Sequence, residues 1–153
     1  MIKINTISNN KNWKRYIKNP ENFIEKKIFN FNKKFRKYKN KKIFCTLLLS
    51  NGKVIKKLNK KFRKKNKSTD VLSFPFYSKK ELHDKLKKEK EIYLGDIIIN
   101  LEKIKKKESK NFNLEFNKLW IHGLVHLFGY DHKKNKDFDK MTNVEKKFLS
   151  YLN

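Results

Sequence analysis

The apolar positions of the chain change period several times, and each change marks an element. Ile2, Ile4 and Ile7 alternate with polar residues and predict an edge strand over 1–7. Pro20-Glu21 is a helix start, and Phe23, Ile24, Ile28, Phe31 and Phe35 recur at helical spacing. They predict an amphipathic helix over 20–38 with its lysines in solvent. The run Ile43–Leu49 predicts a largely buried strand, closed by the turn signal Asn51-Gly52. Val54, Ile55, Leu58 and Phe62 predict a helix over 53–64, the polar segment 65–70 a loop, and Val71–Phe76 a strand closed by Pro75. Residues 78–91 are almost wholly charged and read as an exposed insertion, part helical or mobile. Ile92–Asn100 predicts another buried strand, entered through Gly95-Asp96, and 101–109 a helix. Leu114–Phe128 is apolar on almost all sides, which predicts a central helix, and Gly129 ends it as a glycine just past a helix terminus does. Residues 137–152 predict a last amphipathic helix with Phe138, Met141, Val144, Phe148 and Leu149 inward. There is no repeat and no linker, so the order predicts one α+β domain over 1–153, a small mixed β-sheet packed by helices.

Composition removes several classes. The only cysteine is Cys45, so there is neither a disulfide framework nor a cysteine-based zinc site. No apolar run approaches the ~20 residues of a membrane span. The segment MIKINTISNNKNWK lacks the apolar core of a signal peptide. The expectation is a soluble, cytoplasmic protein with no membrane partner.

Charge at first points to a polyanion, because the formal net charge is +26 and lysines release counterions from phosphate backbones. But the basic residues are 38 Lys and only 3 Arg, in a chain with no Ala and no Gln that is crowded with Asn, Ile and Phe. Those are the residues that A- and T-rich codons write, so the excess charge has two readings, genome composition or a binding surface. The same bias makes each arginine informative.

Three of the four histidines lie in HGLVHLFGYDH, 122–132. His122 and His126, at i and i+4 on the central helix, leave the same face. Gly129 breaks the helix, and His132 can return from the loop as a third ligand. Three imidazoles with the fourth position left to water is the catalytic-zinc pattern; a structural site is usually closed by four protein ligands. The spacing matches the zinc-protease pattern H-E-x-x-H-x-x-G-x-x-H except that Gly123 stands where the general-base Glu belongs. The central helix is therefore zincin-like, but the chemistry is not that protease's. What is left is a Lewis-acidic ion, Zn2+ by this pattern although three imidazoles and a water also suit nickel or other divalent ions, whose bound water can have its pKa lowered to about 7. Asp131 either orients a histidine or forms the turn, and His83 is an exposed side chain outside the cluster.

Arg63 ends the second helix and opens the basic loop that leads to Thr69-Asp70. A planar, bidentate guanidinium near a zinc site is a natural clamp for phosphate. Asp70 caps or orders the loop, and Ser73 is a polar strand residue that can face the site.

Thr69-Asp70-Val71-Leu72-Ser73-Phe74-Pro75, then Leu94-Gly95-Asp96-Ile97-Ile98-Ile99, then the block from His122 to His132 resemble the signature blocks of the YbeY-type endoribonucleases, which are bacterial rRNA maturation factors. Leu58-Asn59 with Phe62-Arg63, and Met141 with Glu145, resemble the flanking blocks, so the similarity runs over 42–149. The resemblance implies a single-strand-specific, metal-dependent endoribonuclease, a hydrolase of RNA phosphodiester bonds. It implies roles in maturing the 3′ end of 16S rRNA and in ribosome quality control, with single-stranded rRNA and the ribosome or its small subunit as partners. It implies His122, His126 and His132 as zinc ligands and Arg63 as a catalytic residue, and a zinc cleft between sheet and helices. The second reading is a zinc-stabilised rRNA-binding assembly factor without nuclease activity. The chain departs from the family in the charged stretch 78–91 and at Asn66, where the family often has an acid.

Overall fold

A computed structural model describes residues 1–105 and 109–153. The four strands are β1 (Ile2–Ser8), β2 (Lys42–Ser50), β3 (Val71–Pro75) and β4 (Glu91–Asn100), in the sheet order β1-β2-β4-β3. β1, β2 and β4 run parallel, and β3 pairs antiparallel with β4. The five helices are α1 (Pro20–Lys34), α2 (Gly52–Arg63), α3 (Lys79–Lys88), α4 (Ser109–Leu127) and α5 (Asn135–Ser150). This is the expected α+β domain with a small mixed sheet, and β1 is the expected edge.

The two-residue period of the strands sorts their side chains onto two faces. Leu47, Leu49, Ile97 and Ile99 enter the main core with Trp120, Leu124 and Phe148, whereas Ile98 and Leu48 meet Ile55 and Leu58 of α2 in a smaller cluster on the other face. α4 crosses β3 and β4, and α5 packs along α4. Phe112, Phe116, Trp120, Ile121, Leu124 and Val125 of α4 are all fully buried, which accounts for a helix apolar on nearly every side. Each such side chain contributes roughly 1.5–3 kcal/mol on leaving water.

Caps set the helix ends. Asn19 accepts from Asn22 N–H with Pro20 in the first turn, and Asn51 accepts from Val54 N–H at 3.0 Å. The Asn51-Gly52 break is thus a strand-to-helix cap. α1 stops at Lys34, short of the expected 38, because Phe35 leaves the helical region (φ −83°, ψ 82°). Its ring still packs on Phe31, Phe128 and Phe148, so the apolar period outlasts the helix.

The charged stretch 78–91 folds as α3. A capping box between Ser78 and Glu81 starts it, and Leu82, 3% exposed, docks it on the core. The helix expected over 101–109 begins as a 3-10 turn, Leu101–Lys103; that expectation also covers residues 106–108, outside the described residues. In α5, Met141 and Phe148 are buried as expected, but Phe138 is 57% exposed. The buried stripe begins only at Met141, and Phe138, one turn earlier, projects beyond the packed surface.

Candidate metal centre and phosphate cleft

α4 ends in the histidine block. Gly129 adopts φ +83°, its N–H donates to His126 O at 2.8 Å, and Tyr130 N–H donates to Val125 O at 3.3 Å. This paired closure is a Schellman motif. It turns the chain back over the last helical turn and delivers His132 to the face that carries His122 and His126. One ligand nitrogen from each of the three lies within 4.8 Å of the others, so the structure brings together all three histidines expected to bind metal. His83 stays outside, exposed on α3.

Two of the imidazoles are oriented by partners. Glu145 of α5 places Oε1 2.6 Å from His122 Nδ1, and Tyr130 O lies 2.9 Å from His126 Nδ1. Both partners accept, which puts the proton on Nδ1 and the lone pair on Nε2. The two Nε2 atoms converge to 3.1 Å. Burial, with His122 and His132 adding to it against the Tyr130 carbonyl, holds the His126 imidazole below its ordinary value. That favours the neutral, ligating form. The donor set therefore fits one divalent ion, with three imidazole nitrogens and an open side toward the cleft.

Glu145 is the functional residue that residue chemistry alone does not single out. Its signal is an acid beside Val144 and three residues before Phe148, on the inward stripe of an amphipathic helix, where a solvated glutamate is out of place. Asp131 takes the turn-forming role: its Oδ1 accepts from His132 N–H at 2.7 Å and its other oxygen pairs with Lys133 at 3.2 Å. Gly123 is explained by packing, since a Cβ there would lie 2.6 Å from Ile97 Cγ2. The position that carries a general base in the protease pattern here faces β4.

The histidines open into a cleft of about 640 Å³ shared with Arg63, Lys65, Lys67, Ser73 and Tyr77. Buried asparagines hold its basic wall. Asn59 Nδ2 donates to Lys67 O at 2.8 Å, and Asn59 O accepts from the N–H groups of Lys64 and Lys65. Lys64, at φ 55°, takes the left-handed turn. Asn100 Nδ2 donates to Ser68 Oγ and Thr69 O at 2.9 and 3.1 Å. Asp70 orders the end of the loop by accepting from Val71 N–H at 2.8 Å. Ser73 Oγ donates to Gly123 O at 3.4 Å, tying β3 to the helix that carries His122 and His126. The arginine, the basic loop and the three histidines, separate in sequence, thus line one cavity. Phe76 is 65% exposed and stands edge-on to Tyr77.

Residues 6–153 match the family model described as "Endoribonuclease YbeY". A protein named "Endoribonuclease YbeY" from Pelagibacter ubique is 45% identical over 156 residues, covering 99% of this chain and 97% of the relative. One of the same name from Ehrlichia canis is 35% identical, covering 99% of this chain and 93% of the relative. The solution structure of a Thermotoga maritima protein superposes with a TM-score of 0.59 at 27% identity, covering 98% of this chain and 89% of that one. No helix among the described residues is long and apolar enough to cross a membrane.

Proposed function

The chain belongs to the YbeY endoribonuclease family, and from that premise we propose that it is a zinc-dependent endoribonuclease that cuts single-stranded RNA. Its substrate in the cell is rRNA, including the 3′ end of 16S rRNA, and it acts in the cytoplasm on the ribosome or small subunit in maturation and quality control. The observation that carries the reading is the shared cleft: three converging imidazoles, one arginine and a pinned basic loop around one cavity. Three imidazole donors and an open side suit zinc. One ion per chain, when bound, supplies Lewis acidity and a water acidic enough to ionise near neutral pH.

The chain's own residues do the rest. His122, His126 and His132 form the metal-binding set. Glu145 and the Tyr130 carbonyl keep two of them in the ligating tautomer. Arg63 binds the scissile phosphate through two non-bridging oxygens and stabilises the negative charge that grows on them in the transition state. Lys65 and Lys67 hold the flanking phosphates, and Tyr77 offers a ring against which a base can stack. The substrate is an anion, which agrees with a cleft wall built from lysines and an arginine.

Metal analysis of the purified protein, paired with cleavage of single-stranded RNA with and without chelator, tests this reading. Zinc near one equivalent, chelator-sensitive cleavage, and loss of both in His126→Ala are expected. Chelator-insensitive cleavage, or RNA left intact by the zinc-loaded protein, would count decisively against it.

A further inference from the structure

A second groove, of about 1120 Å³, begins where the histidine cleft ends. Lys79 and the turn Gly129–Asp131 line both, and Lys79 Cγ lies 3.3 Å from where a Cβ on Gly129 would stand. Lys79 thus packs over the Gly129 turn at the seam. Beyond it the floor is aromatic. Tyr38 and Phe128 lie nearly parallel, 11° apart with centroids at 6.1 Å, and Phe35 stands against Tyr38 at 5.8 Å.

The walls of the groove are basic. Seven Lys or Arg side chains line it against two aspartates, and one of those, Asp131, is already paired with Lys133. Among the basic ones Arg36 is notable, because it is one of only 3 arginines in a chain where Lys is the default. Lys37 Nζ sits 5.1 Å over the Tyr38 ring. Stacking rings on the floor, cations on the walls and continuity with a phosphate-binding cleft are the features of a sequence-tolerant single-strand track.

We infer that this groove, between the end of α1, α3 and α5, holds the single-stranded RNA that flanks the scissile phosphate. The inference rests on the nuclease reading for which strand enters, but not for whether one binds. It gives α3 a role, since the charged helix forms one wall, with Leu82 and Leu86 holding it to the core and Lys79 and Lys80 facing the track. On this reading grip comes from the length of strand held rather than from its sequence.

Fluorescence anisotropy with labelled oligouridines of about 6 and about 18 nucleotides, near the low end of and above the roughly 4–16-nucleotide site sizes of such tracks, tests it, with strand integrity checked by gel. The readout is the ratio of the two Kd values. The wild type is expected to bind the long strand at least about tenfold more tightly. Lys37→Glu/Lys140→Glu should remove most of that gain. Lys3→Glu/Lys11→Glu makes the same charge change at exposed positions outside both cavities and should keep it. Tyr38→Leu, which changes no charge, should cut long-strand affinity about tenfold, the typical loss of one stacked base. A wild type with no gain from length, a gain that survives the groove reversals, or a gain lost equally in the Lys3/Lys11 control overturns the inference and leaves the groove to a partner protein. If the groove variants lose the gain while the wild type cleaves nothing, the nuclease reading falls and the RNA track stands.

Discussion

Glu145 Oε1 lies 2.6 Å from His122 Nδ1, so the last helix of the chain reaches back and orients the first histidine of the metal cluster. A partner of this kind fixes the tautomer and raises the basicity of the ligating nitrogen, and its loss typically costs 10–100-fold in metal affinity. Glu145→Ala is expected to weaken zinc binding within about that range, with Glu145→Gln losing less because its amide oxygen still accepts from Nδ1. Competition against a chromophoric chelator measures this, and unchanged affinity in Glu145→Ala would remove the orienting role.

Arg63 is exposed and lines the cleft without belonging to the metal set. Arg63→Ala is expected to retain full zinc content and lose on the order of 10²-fold in cleavage rate, the usual effect of removing one transition-state donor. Arg63→Lys should recover little, since an ammonium cannot offer two parallel donors. The pair of measurements is zinc per chain and single-turnover rate. Loss of zinc in Arg63→Ala would point instead to a structural role.

Gly123 approaches β4 so closely that a Cβ would lie 2.6 Å from Ile97 Cγ2, and Ile97 is fully buried. Gly123→Ala is expected to destabilise the fold by about 1–3 kcal/mol through overpacking. Ile97→Ala, destabilising alone, should cost less in the Gly123→Ala background, because the new methyl fills part of the vacated space. Urea unfolding of the four species gives the coupling, and simple additivity would refute the close approach.

Gly95 is under a harsher constraint. Its φ is +131°, and a Cβ would lie 2.1 Å from Phe74 O. The register of β2 against β4 shifts here, with Phe44 opposite Tyr93 but Thr46 opposite Asp96, so the glycine sits in a bulge. Gly95→Ala is expected to cost about 2 kcal/mol or more, since backbone strain and a clash with main chain add. A melting temperature equal to the wild type's would contradict this geometry.

Cys45 is 1% exposed on β2, and burial pushes its thiol pKa up to about 12, with Asp96 adding to the shift. Because the thiolate is the reactive form, the folded protein should resist alkylation at pH 8. Relative to an ordinary thiol value of 9.0, the raised pKa stabilises the fold only while the thiol stays protonated. That contribution is full below pH 9 and is lost as pH climbs toward 12. Labelling rates in graded urea should follow global unfolding, and fast labelling in native buffer would show that the strand opens.

The local rules visible in the sequence hold where the chain's own neighbours decide the outcome. The His122/His126 spacing, the Gly129 turn and the return of His132 all act within eleven residues, so the histidine cluster is legible from the sequence. Strand alternation and the apolar girth of the central helix are legible for the same reason, because burial follows period. Phe35 shows the limit. Its ring belongs to the core, but it gets there from outside the helix, and apolar period records burial without recording backbone. The charged stretch 78–91 reads as an exposed insertion, part helical or mobile, yet it holds a capped helix that Leu82 docks on the core.

Local pattern alone accounts for the sheet-and-helix content, for three histidines gathered in one block and for an arginine worth noticing. The packing of separate elements is what brings Glu145, 23 residues from His122, to orient it, and what lets Asn59 and Asn100 pin the basic loop beside it. Tertiary structure also made Gly123 a packing contact. The physical reason is range. Periodicity, capping and turns are set by energies between residues a few positions apart, whereas the partner of a side chain across the fold depends on how separate elements pack.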